Sequence, residues 1–246
     1  MAQVGLHAVT GLVVGEYCLR RWVPDAAARR GLLFGCVLGS MLPDLDYLAA
    51  AGVFPADPSL AFSLHRGFTH SLLMVAVVWL GSYLASLVMA DAYARRVGQG
   101  LALGMLLHLG LDVLLWFGPV DLFWPASVYG LVKPINLWWW YQLPVLPSRL
   151  LGAAEFGAYG LYYDHLIRLA DTFYTNRDEI RLGDRMATIC WTIWAILTAL
   201  AFDVTNDSFS LVFYVLIGIL FLPACLYLTW RFQPTIEHLS RLPSGD

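Results

Sequence analysis

Apolar residues fall into long windows at residues 71–90, 98–117, 186–202 and 211–230, each at or near the roughly 20 residues that a bilayer-spanning helix requires. Two shorter apolar runs, 7–19 and 31–42, carry Gly11, Gly15, Gly35 and Gly39. Short glycine-bearing helices pack closely against neighbours, so both are expected inside the bundle. Residues 150–174 mix apolar positions with Glu155, Asp164, His165, Arg168 and Asp171, which predicts either a spanning helix with a polar face or one lying along the interface. Between 118 and 148 no long apolar run occurs, and the stretch is rich in proline and tryptophan, with Trp124, Trp138, Trp139 and Trp140. Tryptophans of this kind favour headgroup depth, so a reentrant or interfacial segment is expected there, as an aromatic belt before a substrate site. The pattern predicts an all-α polytopic transmembrane helix bundle of about 6–7 helices with a Trp/Pro-rich interfacial segment. It is expected to form one membrane domain over 1–246, divided into metal-site helices (1–117), the interfacial segment (118–150), and further helices with a C-terminal tail (151–246).

Composition agrees with that reading. Of the 246 residues, 59% are hydrophobic and 13% charged, too apolar a balance for a water-soluble domain to cover its own surface. The net charge of -3 is thinly spread and no basic stripe with interleaved aromatics occurs, so nucleic acid is not an expected partner. Cys18, Cys36, Cys190 and Cys225 stand singly in apolar runs and read as small buried hydrophobes. The stretch after His7 lacks a positive leader and a small-residue cleavage site, and is expected to be retained. Arginines orient the helices, since cytoplasmic loops collect positive charge. Arg20, Arg21, Arg29 and Arg30 fall in one connection, Arg95 and Arg96 in another, and Arg177, Arg181 and Arg185 in a third. All three become cytoplasmic if 150–174 also crosses, giving about seven spans with the N-terminus outside.

On that topology the titratable residues converge. His7 opens the first helix at its outer end, and Pro43-Asp44-Leu45-Asp46 closes the second at the outer end. His65-Arg66-Gly67-Phe68-Thr69-His70 precedes the third helix outside, with Thr69 or Ser71 as its cap. His108 and Asp112 lie four apart, on one face of the fourth helix in its outer half. Each fragment has a plainer alternative: His7 as a headgroup contact, Asp-x-Asp as a turn, His-x-x-x-Asp as a hydrogen-bonded helical pair. Together, in or near hydrocarbon, they point to a divalent cation that neutralises the carboxylates and is coordinated by the imidazoles. His7, Asp44, Asp46, His65, His70, His108 and Asp112 exceed what one catalytic zinc requires, so one or two ions are expected. Nitrogen and carboxylate donors without thiolate suit zinc, and also manganese, iron or cobalt. Arg66 is read either as an ion-pair partner of Asp44 or Asp46 or as a clamp for an anionic substrate oxygen. Glu155, at the outer end of its helix, is read as facing water or as a general base or further ligand.

These motifs resemble the YdjM family of bacterial inner-membrane proteins. The resemblance covers about residues 1–125: the early histidine, Leu-Pro-Asp-Leu-Asp at 42–46, His-Arg-Gly-Phe-Thr-His-Ser at 65–71, His-Leu-Gly-Leu-Asp at 108–112 and Phe-Trp-Pro at 123–125. It implies a metal-dependent hydrolase of the bacterial inner membrane. A looser likeness in residue order to zinc-dependent phospholipase C and P1-type nucleases implies Asp44, His65, His108 and Asp112 around one metal, with His7 reaching a second that Asp112 bridges. The later histidines of those clusters have no counterpart here.

The expected function is a membrane-embedded metal-dependent hydrolase that cleaves a lipid or lipid-linked phosphoester or ester at the outer interface by metal-activated water. Asp44, His65, His108 and Asp112 are the expected first ligands; Asp46, His7 and His70 are expected as ligands of a second ion or as groups that orient the first set. Asp46, His70, Arg66 and Glu155 are the candidate catalytic residues. Rival readings are a ceramidase-like amide hydrolase and a non-catalytic metal-binding scaffold or transporter. A transporter should carry polar residues through the depth of the bilayer, whereas these cluster at one edge.

Overall fold

The computed structural model describes residues 4–23, 25–53, 56, 67–115, 119–138, 140, 144–172 and 177–239. Its helices are α1 (Val4–Trp22), α2 (Ala26–Gly39), α3 (Asp46–Val53), α4 (Leu72–Val88), α5 (Ala92–Leu115), α6 (Val145–Thr172), α7 (Arg177–Asp203), α8 (Asn206–Val215), α9 (Leu222–Arg231) and α10 (Gln233–Leu239). A π-helical segment, Leu216–Phe221, joins α8 to α9, so the expected window at 211–230 forms one interrupted helical run. Ala26–Leu48, Ala92–Leu115 and Arg177–Asp203 are long and apolar enough to cross a membrane, and Leu72–Val88 is a shorter apolar helix. The molecule is an all-α membrane bundle.

Local chemistry sets the boundaries that place the site. The Asp25 side chain accepts the Ala27 N–H at 2.9 Å to start α2, and Pro43 occupies the first turn of the 3-10 segment Pro43–Leu45 that follows it. Ser71, one of the two expected caps, accepts the Met74 N–H at 3.1 Å and starts α4. Thr69 instead lies in the 3-10 turn Phe68–His70 and turns its hydroxyl toward Asp46.

Glycines determine how closely the helices approach. A Cβ at Gly35 or Gly39 would run into the α5 backbone at Val97 and Leu101, and one at Gly100 or Gly104 into the α2 backbone at Leu32, Cys36 and Ser40. These contacts advance together along both helices, so α2 and α5 run parallel with backbones touching. Gly11 meets Ser40 and Gly15 meets Cys36, so α1 is antiparallel to α2; Gly98 meets Ser82, so α4 is antiparallel to α5. Gly157 and Gly160 lie on Trp194 and Trp191, while Gly183 lies on Ile167, making α6 and α7 antiparallel. At about 1.5 Å per residue the 28 residues of α6 extend about 42 Å, enough to run from end to end of the bundle despite its polar residues.

Two ends of different chemistry result. At one end Arg20 donates to the Leu239 carbonyl (3.2 Å), Arg96 to the Ala27 carbonyl (2.6 Å), and Arg30 pairs with Glu237 (2.8 Å). Glu237 also accepts hydrogen bonds from Tyr93 and from Gln233. Burial pushes the Glu237 carboxyl up, but these donors and the Arg30 charge outweigh it and hold the group below the usual carboxylate range. The first turn of α1, the Asp44 turn and the last turns of α5 lie at the opposite end. The segment after α5 covers that end: the Leu122 carbonyl accepts the Leu72 N–H (2.9 Å), Trp124 meets Phe68 edge-on, and Tyr129, Leu131 and Trp140 are exposed.

Candidate metal centre

Four separate stretches bring imidazole and carboxylate groups into one buried cluster. His7 comes from the first turns of α1, Asp44 from the turn after α2, His70 from the turn before α4, and His108 and Asp112 from one face of α5. Each is at most 2% exposed. His65 and Arg66, both candidate site residues, lie outside the described residues.

Two imidazole nitrogens and two carboxylate oxygens lie close together. His70 Nε2 lies 3.1 Å from His108 Nε2 and 3.5 Å from both Asp44 Oδ1 and Asp112 Oδ2. His108 Nε2 lies 3.9 Å from Asp44 Oδ1 and 3.7 Å from Asp112 Oδ2. Around a tetrahedral zinc with bonds near 2.0–2.1 Å, donors stand about 3.3–3.4 Å apart, so these separations need only small adjustments. Two carboxylates also match the charge of a divalent cation, which leaves the loaded cluster neutral in a place where net charge is costly.

The other ring nitrogens set the tautomers. His108 Nδ1 is 2.7 Å from the Ser40 carbonyl, which can only accept, so Nδ1 carries the proton and Nε2 offers its lone pair. The Thr69 hydroxyl donates to Asp46 Oδ2 at 2.7 Å and lies 3.0 Å from His70 Nδ1; Asp46 Oδ2 itself is 3.4 Å from that nitrogen. Asp46 is thus placed behind His70, as carboxylates stand behind metal-binding histidines.

His7 stacks on His108 with ring centroids 3.6 Å apart, and its Nε2 is 3.3 Å from Asp112 Oδ1. Among the described residues, two groups are able to hold a metal ion, His7–His108–Asp112 and Asp44–His70–His108, with donor atoms within 4.8 Å of one another in each. With its Nδ1 tied to Ser40, His108 has one donor for both, so it serves one ion at a time. His7 Nδ1 and Asp44 Oδ2 are buried without hydrogen-bond partners, which is the expected state of polar atoms waiting for a ligand or an ordered water. Glu155, read from the sequence as facing water or joining the chemistry, is 2% exposed and accepts the Gly5 N–H. Ser40 and Thr69 escaped sequence reasoning. A backbone carbonyl has no sequence signature, and the sequence marks Thr69 only as a possible helix cap.

The fold and the cluster define a class: an all-α membrane bundle with buried histidine and aspartate groups able to hold a metal ion. The chain belongs to the YdjM inner membrane protein family, whose model matches residues 1–205. That match extends through α6 and α7, beyond the stretch carrying the motifs. The chain is similar to the inner membrane protein YdjM of Escherichia coli (strain K12), at 33% identity over 118 residues, covering 45% of this chain and 52% of that protein. The protein of the same name from Shigella flexneri matches equally. The chain thus spans about half the length of the curated relatives it matches. No solved structure gives a significant match.

Proposed function

We propose that this protein is a membrane-embedded, metal-dependent hydrolase acting on a lipid or lipid-linked phosphoester or ester at the outer face of the inner membrane. The buried Asp44–His70–His108 group, with Asp112 beside both histidines, carries the reading. Asp44, His70 and His108 would hold the ion and leave a fourth position for water, with zinc the best match to their nitrogen and oxygen donors; manganese, iron or cobalt also suit them. A bound ion of this kind lowers the pKa of a coordinated water toward neutrality and polarises the bond to be cleaved. Within the chain, Asp46 and Thr69 orient His70, and Ser40 fixes the ring of His108. His7 holds Asp112 and offers a further donor to a second ion. The arginine-rich end corresponds to the cytoplasmic side, which sets the cluster toward the outer leaflet. The exposed Tyr129, Leu131 and Trp140 then lie at headgroup depth, where a lipid substrate presents its ester.

The test is elemental analysis of detergent-purified protein, followed by a panel of phospholipid and lipid-amide substrates with product analysis. Stoichiometric metal that is lost in His70→Ala, together with phosphate or ester cleavage that disappears in the same variant, is the expected result. Fatty acid released only from amides would transfer the protein to the ceramidase-like class. A metal-loaded protein inactive on every lipid class would overturn the hydrolase reading.

A further inference from the structure

The second half of the chain carries no motif of the metal cluster, yet α6 makes a buried polar contact with the first turn of α1. Glu155 lies on α6, 150 residues from Gly5, and its Oε1 accepts the Gly5 backbone N–H. Gly5 belongs to the first turn of α1, where N–H groups have no partner within the helix. The Glu155 side chain satisfies that donor from the neighbouring helix.

This contact depends on close approach of the two helices. A Cβ at Gly5 would stand 2.7 Å from the Tyr159 nitrogen and 2.8 Å from the Glu155 carbonyl oxygen, so only glycine lets α1 lie against the α6 backbone. His7 follows two residues later, with its ring stacked on His108 and its Nε2 toward Asp112. The same turn of helix is therefore tied to Glu155 on one side and to the cluster on the other.

We propose that Glu155 is a positioning residue, which fixes the first turn of α1 and thereby aims His7 at Asp112 and His108. The inference rests on the metal-site reading above. It gives α6 a defined part in the centre and accounts for a motif-poor helix lying within the family match.

The experiment is zinc titration of the full-length protein in detergent. Loss of a partner that orients a metal site lowers affinity by about 10- to 100-fold, and that range is expected for Glu155→Ala. Glu155→Gln, whose amide oxygen still accepts, should restore most of the affinity. Gly5→Ala, which leaves Glu155 in place but forces the helices apart, should lose affinity as Glu155→Ala does. In a His7→Ala background the Glu155→Ala loss should vanish, because the effect passes through His7. Full affinity in Glu155→Ala, or a Glu155 loss that persists unchanged without His7, overturns the proposal. If Glu155→Gln keeps zinc but loses hydrolysis, the carboxylate acts as a proton acceptor and the positioning role is wrong. A wild-type protein that takes up no zinc or other divalent ion instead overturns the metal-site reading itself, a separate outcome.

Discussion

Adding a single methyl group at Gly104 tests whether the α2–α5 contact holds the cluster together. A Cβ there would stand 2.6 Å from the Ser40 nitrogen and 2.9 Å from the Cys36 carbonyl carbon, and would press on the Cys36 carbonyl oxygen. Ordinary carbon contacts begin near 3.5 Å, so the helices must separate by about 1 Å. Ser40 holds His108 and leads into Asp44, while His108 and Asp112 ride on α5, so the shift opens the cluster along its 3.9 Å His108–Asp44 edge. Metal sites tolerate deviations of about 0.2 Å in bond length, well below that displacement. Gly104→Ala should therefore cost about 1–3 kcal/mol of stability by overpacking and weaken zinc binding at least about tenfold. Gly110→Ala is the control on the same helix. Nothing lies within 4 Å of its Cβ, so it should be neutral or stabilising by up to about 1 kcal/mol through helix propensity. Thermal unfolding in detergent and zinc titration measure both effects. Equal melting temperatures and zinc affinities for the two variants would refute the reasoning, because the contact would then not constrain the site.

Other perturbations address different contacts. Asp46→Asn should lower zinc affinity by about 10- to 100-fold through His70, with the ion still bound at saturating zinc; unchanged affinity on titration would remove Asp46 from its place behind the ring. The Glu237 clasp stabilises the ionised form, so its contribution is complete above the ordinary carboxyl pKa and is lost as pH falls through the depressed folded value. Melting curves of wild type and Glu237→Gln should accordingly converge on acidification, and a difference that grows toward acid would contradict the sign. Cysteines introduced at Asp25 and Val128, in a background lacking the native four, should react with an impermeant thiol reagent from opposite sides of the membrane, Val128→Cys from outside; labelling from one side would reject the assigned orientation.

The amino-acid pattern alone determined the class of the fold. Apolar windows of spanning length, the arginine connections and the tryptophan-rich stretch are one-dimensional properties, and lipid solvation converts them directly into helices and ends. That His7, Asp44, Asp46, His70, His108 and Asp112 come together is legible for the same reason, since ionisable groups beside long apolar runs need partners. Their division of labour is not. His70 stands beside Asp44, His108 and Asp112, while Asp46 stands behind it, because α2 and α5 meet backbone to backbone at glycines and the Thr69 hydroxyl bridges to Asp46. Residues 150–174 could be read along the interface or across the bilayer. Packing against α7 and the seat of α1 on Gly5 place α6 within the bundle, with Glu155 buried beside the first turn of α1. Helix formation is encoded by local spacing, whereas coordination geometry depends on contacts between residues up to 150 positions apart, and those distances exist only once the helices have packed.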